Sequence, residues 1–226
     1  MQYTGEENLN IMKLAVNYND RLLKLVLKNV PEKANAILDF GAGEGMFSEL
    51  VEKRLKKKVY NLEPAENMQK YYQKKPLRSL SDLGEEKVDY IYSLNVLEHI
   101  ENDKEIVDGF YNVLSENGVV FLYMPAFPCL YSSADKKVGH CRRYTKKDVK
   151  RLFDEDRWNV REVGYADFLG WFLAFLFKYV GKEDGMIPPV KLKIYDRLFF
   201  PVSVLLDKIT FGRILGKNIM IIASRK

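Results

Sequence analysis

The chain has 226 residues, of which 47% are hydrophobic and 30% charged, and its formal net charge is +5. This length and composition suit a folded domain with a large core, and they exclude a disordered or low-complexity chain. Residues 2–10 are polar and acidic, unlike a secretory signal peptide. The two cysteines, Cys129 and Cys141, have neither C-x-x-C nor metal-ligand spacing, so we expect reduced thiols in a cytoplasmic protein.

The first predicted element is one helix over residues 11–28. Apolar side chains recur along it at helical spacing: Ile11, Leu14, Ala15, Tyr18, Leu22, Leu25 and Val26. A stripe of this kind is typical of a helix that packs one face on a core.

The second element is a short apolar strand, residues 36–40, which runs into a glycine-rich turn and then a helix. Asp39 precedes three alternating glycines, Gly41, Gly43 and Gly45. Glycines lack a Cβ atom, so their backbone can approach a ligand closely, and the free N–H groups of the next helix point at it. The turn therefore indicates a nucleotide-type ligand, either a dinucleotide or S-adenosylmethionine.

The spacing of the glycines favours the second ligand. A dinucleotide-binding turn requires a glycine where this chain has Met46. The order Asp-x-Gly-x-Gly-x-Gly of residues 39–45 resembles motif I of class I S-adenosylmethionine-dependent methyltransferases. A glycine-rich turn without any ligand is the alternative that this motif alone leaves open.

A second strand, residues 58–62, leads to Glu63 and Pro64. Glu63 follows Asp39 by 24 residues. In a strand–helix–strand unit that spacing puts a carboxylate at the carboxyl end of the neighbouring strand, where it can accept both hydroxyls of a ribose.

Two further strands continue the alternation, at residues 87–93 and 119–125, with a helix between them. Residues 94–100, Leu-Asn-Val-Leu-Glu-His-Ile, resemble the motif that follows strand four in the same methyltransferase class. The resemblance covers residues 36 to about 125, with four motifs in the correct order.

The resemblance implies a doubly wound, Rossmann-like α/β fold with a seven-stranded methyltransferase sheet. It implies S-adenosyl-L-methionine as cofactor and S-adenosyl-L-homocysteine as product. By the pattern of the family, the cofactor-binding residues are Asp39, Gly41, Gly43, Glu63, Pro64, Ser79, Leu80 and Asn95. In this set Asp39 supports the turn or the cofactor amino group, whereas Ser79 and Leu80 flank the adenine.

A loop rich in functional residue types follows the strand at residues 119–125. Its pattern Leu-Tyr-Ser-x-x-Asp-x-x-x-Gly-His-x-Arg-Arg-Tyr resembles a signature of a bacterial and archaeal methyltransferase branch associated with cell-surface glycan and lipid pathways. Asp135 and His140 are candidate general bases. Arg142 and Arg143 are candidates to hold a carboxylate or phosphate of the acceptor. The alternative is structural, with Asp135 paired to an arginine and His140 bonded in a turn.

The residues predicted to contact the methyl acceptor are His99, Tyr131, Arg142, Arg143, Tyr144 and Trp171. Glu98 and His99 need a separate comparison, because an E-x-x-E-H element binds a divalent metal in methyltransferases of ubiquinone biosynthesis. Here Asn95 replaces the first carboxylate, and an amide is a weak ligand for a hard cation. We therefore expect no metal.

The charge excess lies at the carboxyl-terminal end, where residues 167–226 hold ten basic and five acidic side chains. Residues 168–177 and 198–206 are apolar but too short to cross a bilayer. Basic residues among Trp and Phe suit an interfacial helix on anionic lipid, and they suit equally a helical cap with a solvated basic face.

We therefore predict three parts: a cofactor-binding core with its N-terminal helix at 1–166, a basic and aromatic helical insertion at 167–216, and the final strand of the sheet at 217–226. The insertion is expected beside the acceptor site and, on the lipid interpretation, in peripheral contact with a membrane.

The predicted function is methyl transfer to an O or N atom of a small molecule or of a lipid- or glycan-linked substrate. Nucleic acid is not expected as a partner, because the core has no stacking platform and no Asn-Pro-Pro-Tyr motif. A non-catalytic cofactor-binding scaffold is the main alternative, and a nicotinamide-dependent oxidoreductase is disfavoured by Met46. The oligomeric state stays open.

Overall fold

A computed structural model of the chain describes residues 5–180 and 188–226, with residues 179 and 180 described by their backbone alone. Residues 181–187 of the predicted insertion lie outside this description. The strands are β1 (Ala36–Phe40), β2 (Lys58–Leu62), β3 (Val88–Leu94), β4 (Leu114–Pro125), β5 (Trp158–Ala166) and β6 (Asn218–Arg225). The α-helices are α1 (Glu6–Met12), α2 (Val16–Lys28), α3 (Met46–Leu55), α4 (Asp103–Val113), α5 (Ser133–Val138), α6 (Lys146–Leu152), α7 (Phe168–Val180), α8 (Pro189–Ile194) and α9 (Phe200–Ile209).

The strands form one sheet in the order β2-β1-β3-β4-β6-β5. β1 to β4 run parallel, and β6 is antiparallel to both of its neighbours. Neighbouring residues of each strand contribute to opposite faces: Leu38 belongs to one hydrophobic cluster and Ile37 to the other. Helices cover both faces, as parallel strands require, and the fold is the predicted doubly wound, Rossmann-like α/β sheet.

The described residues form six strands, so the prediction of seven was wrong by one. The missing strand is reduced to a single parallel bridge between Leu77 and Leu62 at the outer edge of β2. Leu77 N donates to Asn61 O at 2.8 Å, and Leu77 O accepts from Glu63 N at 2.8 Å. Among the described residues, the pairing of this segment with β2 does not extend beyond this bridge.

The prediction of one helix over residues 11–28 was also wrong, since α1 ends at Met12 and α2 begins at Val16. The carboxylate of Asp196 accepts the backbone N–H groups of Asn17 and Tyr18, both at 2.9 Å. A carboxylate at that position satisfies free N–H groups and favours a new helix start. Its partner lies 179 residues away in sequence, so local periodicity gives no sign of it.

Helices α7 to α9 lie between β5 and β6 in the chain, and a π-helical turn at Tyr195–Phe199 joins α8 to α9. The segment leaves the sheet after Ala166 and re-enters at Asn218, two residues that pair with each other. Asn218 also pairs with Pro125, the last residue of β4. The helices therefore stand at the carboxyl edge of the parallel strands, where ligands bind in open α/β sheets.

None of the helices described combines the length and the apolar character needed to cross a membrane.

Candidate active site

The turn between β1 and α3 has the backbone shape that its glycines predict. Gly41, Gly43 and Gly45 have φ of 77°, 58° and 81°, in the left-handed region that glycine tolerates best. The N–H groups of Gly41 and Ala42 donate to Leu62 O at 2.9 and 3.0 Å, which joins the turn to the end of β2. A Cβ atom at Gly41 would overlap the side chain of Val96.

Glu63 lies directly against this turn. Its side chain accepts the N–H of Gly43 at 2.9 Å on one oxygen and that of Ala65 at 2.9 Å on the other. Burial raises the pKa of the Glu63 carboxyl. The structure thus brings together Gly43 and Glu63, two of the residues predicted to bind the cofactor, while the neighbouring Pro64 is exposed.

Asp39 supports the turn from beneath. It is buried, and one of its carboxylate oxygens accepts hydrogen bonds from Ser48 Oγ at 2.6 Å and from Tyr92 OH at 2.8 Å. Burial raises the pKa of Asp39 to about 6. Because Ser48 is in the first turn of α3 and Tyr92 is in β3, Asp39 fixes the helix start to the sheet.

The other predicted cofactor residues, Asn95, Ser79 and Leu80, differ in their surroundings. Asn95 has φ 55°, and its N–H donates to Tyr123 O at 2.7 Å, just beyond the end of β3. Ser79 is exposed and caps the short 3₁₀ helix Leu80–Leu83. The Leu80 side chain packs against Gly109 of α4 and joins the hydrophobic core, and this packing does not support its predicted contact with adenine.

Helix α1 covers the turn. A Cβ atom built on Gly43 would lie 3.6 Å from Leu9 Cδ1, and Tyr72 OH donates to Gly43 O at 2.9 Å. Lys13 forms an ion pair with Glu44 in the turn itself. The space next to Gly43 is therefore enclosed between α1 and the glycine turn. A narrow ligand could bind there through the backbone groups of the turn.

In the loop of residues 126–144, the Asp135 carboxylate is fully engaged. It is 2% exposed, and one oxygen contacts His140 Nδ1 at 2.7 Å and Arg143 Nε at 2.9 Å. The other oxygen accepts the Ser132 N–H at 2.9 Å. Despite its burial, the hydrogen bond from His140 and the charge of Arg143 lower the pKa of Asp135 to about 2. This geometry makes Asp135 a positioning residue and does not favour its predicted role as a base.

The two arginines of this loop bind protein groups. Arg142 donates to Asp103 Oδ2 at 3.1 Å and to Glu101 O at 2.8 Å. Besides Asp135, Arg143 donates to Ala126 O at 3.3 Å. These contacts match the structural alternative more closely than a role in holding an acceptor anion.

The tyrosines of the loop are bonded in the same way. Tyr144 is buried and donates to Asp103 Oδ2 at 2.8 Å, and Tyr131 donates to His140 O at 2.7 Å. Their hydroxyls shape the loop around His140.

His140 meets Glu98 and His99, a contact that sequence reasoning missed. The two imidazole rings are 4.7 Å apart at 79°, and His140 Nε2 is 3.7 Å from Glu98 Oε1. Burial raises the pKa of Glu98 to about 8, and burial together with the charge of His140 lowers that of His99 to about 4. The available sequence signal was that the chain has two histidines and both fall in loops at the carboxyl edge.

Trp171 lies where α7 meets the loop. Its ring stacks on Phe175 at 5.3 Å and meets Phe127 edge-on at 6.2 Å. Lys178 Nζ donates to Cys129 O at 2.7 Å. The predicted acceptor residues of the loop and of α7 are therefore on one side of the cleft.

A Rossmann-like sheet with an antiparallel strand next to β4, whose first strand ends in a glycine turn against a buried acid that follows the second strand, is typical of the class I S-adenosylmethionine-dependent methyltransferases. The sequence model of a family described as a methyltransferase domain matches residues 13–163, and the chain belongs to that family. S-adenosyl-L-methionine is accordingly its cofactor. Comparison with curated protein sequences gives no match.

Solved structures with the same fold include several methyltransferases. Geranyl diphosphate C-methyltransferase from Streptomyces coelicolor, in complex with Mg²⁺, geranyl diphosphate and S-adenosyl-L-homocysteine, is 10% identical, with a TM-score of 0.63 over 92% of this chain and 81% of that one. Coclaurine N-methyltransferase bound to N-methylheliamine and S-adenosyl-L-homocysteine is 14% identical, with a TM-score of 0.59 over 91% and 69% of the chains. A methyltransferase from Archaeoglobus fulgidus is 14% identical, with a TM-score of 0.57 over 91% and 92%. At these identities the likeness establishes the fold alone.

Proposed function

We propose that this methyltransferase acts on an O or N atom of a lipid- or glycan-linked acceptor and docks on an anionic membrane to reach it. The observation that carries the proposal is the outer surface of the described residues from 168 to 214, which are α7, α8, α9 and the turns beside them, here called the apolar face. Thirteen of the sixteen exposed large hydrophobic side chains among the described residues lie on this segment. They are Phe172, Phe175, Leu176, Phe177, Val190, Ile194, Leu198, Phe199, Val202, Leu205, Ile209, Phe211 and Ile214.

An apolar surface of this extent needs an occupant, because soluble monomers expose few contiguous patches of such size. The basic residues around the apolar face favour an anionic membrane as this occupant over another protein. Basic side chains border the apolar face and are themselves exposed: Lys191, Lys193, Arg197, Lys208 and Arg213. A basic residue near an anionic lipid surface contributes about 1 kcal/mol of attraction.

The acidic side chains described in the segment do not oppose this attraction. Asp196 caps α2, and Asp207 accepts the N–H groups of Asp167 and Phe168 at 2.8 and 2.9 Å, at the start of α7. Asp167 is 1% exposed and accepts Ser203 Oγ at 2.9 Å. Because these carboxylates point inward to helix starts, the described part of the outer surface presents apolar and basic groups.

The apolar face adjoins the acceptor side of the cleft through Trp171 and Phe127. A lipid-linked substrate could therefore keep its anchor in the membrane while its head group enters between α7 and the loop of residues 126–144. A soluble polar substrate would need no such surface.

S-adenosyl-L-methionine, when bound, supplies an activated methyl group on a positively charged sulfur. Glu63 and the backbone of Gly43 orient the donor, and proximity supplies most of the rate in such a transfer. Helix α1 and the 126–144 loop exclude water. Asp135 does not take the acceptor proton near neutral pH, because its pKa is about 2. His140 is the remaining predicted base.

Vesicle flotation tests the proposal. We expect the protein to float with mixed phosphatidylserine–phosphatidylcholine vesicles at low salt, less at high salt, and little with pure phosphatidylcholine. The double variant F172S/F175S should lose binding. Leu50→Ser on α3 is the matched control, since Leu50 is also exposed but lies outside the apolar face.

Two outcomes contradict membrane docking. One is equal flotation of the double variant and the Leu50→Ser control. The other is a wild-type dimer, measured by light scattering, that becomes monomeric in F172S/F175S and does not float, because a second copy then covers the apolar face.

A further inference from the structure

Glu98 presents an unusual combination of burial and missing partners. It is 0% exposed, and neither carboxylate oxygen accepts a hydrogen bond from another residue among those described. Burying a carboxylate without a compensating partner is costly, and either a proton or a bound cation at Glu98 would remove that cost.

Two imidazoles lie at this carboxylate. One ligand atom each from Glu98, His99 and His140 lies within 4.8 Å of the other two, and no other such group occurs in the described parts of the chain. We propose that Glu98, His99 and His140 bind a divalent transition-metal cation through one carboxylate oxygen and two imidazole nitrogens.

The groups around the histidines have the arrangement that metal ligands need. Asp135 Oδ1 lies 2.7 Å from His140 Nδ1, and Arg143 and Ser132 hold Asp135 in place. A proton on Nδ1 suits the Asp135 carboxylate as acceptor, and it leaves Nε2, 3.7 Å from Glu98 Oε1, as the ring atom available to a metal. A metal cation between these two atoms would remove the repulsion of their lone pairs, and a proton shared between them would do the same.

His99 is oriented as well, by a hydrogen bond with the backbone of Gly139. Carboxylate–histidine and carbonyl–histidine pairs of this kind fix the ring and its tautomer at metal sites. The Asp135–His140 contact and the Gly139–His99 contact come from the same short stretch of the loop, so one loop conformation sets both rings.

The ligand types select the class of metal. Two imidazole nitrogens and one carboxylate suit Zn²⁺, Fe²⁺ and neighbouring ions, whereas Mg²⁺ and Ca²⁺ prefer oxygen ligands. Three protein ligands leave at least one coordination position for water or a substrate oxygen.

The position of the site suggests its use. Glu98 and His99 follow the carboxyl end of β3, and His140 comes from the loop after β4. A hydroxyl bound to the cation would be acidified, so the metal would take over the task of the base predicted at His140. This use rests on the proposed function, whereas metal binding itself does not.

Isothermal titration of untagged, EDTA-treated protein with Zn²⁺ tests the site. We expect one Zn²⁺ per chain, no heat with Mg²⁺, and an affinity at least about tenfold weaker in Glu98→Gln and in His140→Gln. Glu101→Gln is the matched control, because Glu101 is a nearby exposed acid. Cys141→Ser should bind like wild type, which excludes the exposed thiol beside His140 as the ligand.

Absence of Zn²⁺ binding overturns the proposal, and so does equal binding by Glu98→Gln, His140→Gln and Glu101→Gln. Thermal melting in EDTA establishes that each variant is folded. If Glu98→Gln fails to fold, His140→Gln alone decides.

NMR of the imidazole nitrogens gives a second readout, unusually clear because the chain contains two histidines. We expect Zn²⁺ to shift both imidazoles, and Asp135→Asn to lower the affinity about 10–100-fold with the stoichiometry unchanged. If His140 is instead a protonated bridge between Asp135 and Glu98, both rings stay unshifted by Zn²⁺, and the metal proposal fails. Neither experiment uses an acceptor or vesicles, so its failure leaves the proposed function standing.

Discussion

The glycine turn of residues 39–45 and the loop of residues 126–144 border the same edge of the sheet, yet they differ in what their polar groups do. In the turn, backbone shape places the N–H of Gly43 against Glu63, the acid proposed to bind the cofactor. In the loop, Asp135, Arg142 and Arg143 bind one another or neighbouring protein groups. Residue types that suggest contact with a substrate thus serve the loop's own structure, and they leave His140 as its distinctive group.

The largest expected effect tests the turn. Gly43→Val should abolish binding of S-adenosyl-L-homocysteine, measured calorimetrically, because its side chain would enter the ligand space and contact Leu9. Gly84→Val is the control, since Gly84 has a similar φ of 60° but no atom within 4 Å. If Gly84→Val impairs binding equally, backbone strain rather than occupied space is the cause.

The second effect tests the loop. Arg143→Ala should lower the free energy of unfolding by about 3 kcal/mol, because it leaves the Asp135 carboxylate buried without its cation. Arg142→Ala should cost less than about 1 kcal/mol, since that side chain is 37% exposed. Urea denaturation measures both. Unchanged stability together with a raised KM in either variant would instead assign that arginine to the acceptor.

A third change examines the acid of the turn. Glu63→Ala should weaken cofactor binding by about 1.5–3 kcal/mol, because a charged acceptor of two hydroxyl hydrogen bonds is lost. Glu63→Gln keeps one acceptor oxygen and should fall between alanine and wild type in calorimetric titration. Full affinity in Glu63→Ala would remove this residue from the site.

The smallest effect concerns Asp39 and depends on pH. Its folded-state pKa of about 6 lies above the ordinary value of 3.8, so the folded state favours the protonated form. The contribution of Asp39 to stability is therefore greatest below pH 3.8 and is lost as the pH rises through 6. Asp39→Asn removes this pH-dependent loss. The change in the free energy of unfolding that it causes should therefore be more favourable at pH 7.5 than at pH 4, by about 1–2 kcal/mol. Urea denaturation that gives the same difference at both pH values contradicts this assignment.

The difference between the turn and the loop explains how much of the structure could be predicted from the sequence. The strand–turn–helix order and the position of Glu63 at the carboxyl end of β2 were predictable, because they follow from local periodicity and from a fixed backbone geometry. Features set by distant partners were not. Asp196 breaks the N-terminal helix across 179 residues, and His140 reaches Glu98 only through the folded loop. The seventh strand that the family pattern implied is reduced to one bridge at Leu77, and no local sequence pattern indicated this.

Asp196 has a consequence for how the two ends of the molecule communicate. It belongs to the segment that carries the apolar face, and it fixes the start of α2, directly after the helix that covers the cofactor turn. A shift of this segment on a membrane would be transmitted to α2 through the hydrogen bonds of Asp196 and the contact of Phe200 with Tyr18, and from α2 to the adjoining α1. Thermodynamic linkage then makes the coupling reciprocal. If membrane binding changes the affinity for the cofactor by some factor, cofactor binding changes the affinity for the membrane by the same factor. Product release and departure from the membrane would thereby become coupled steps of one cycle.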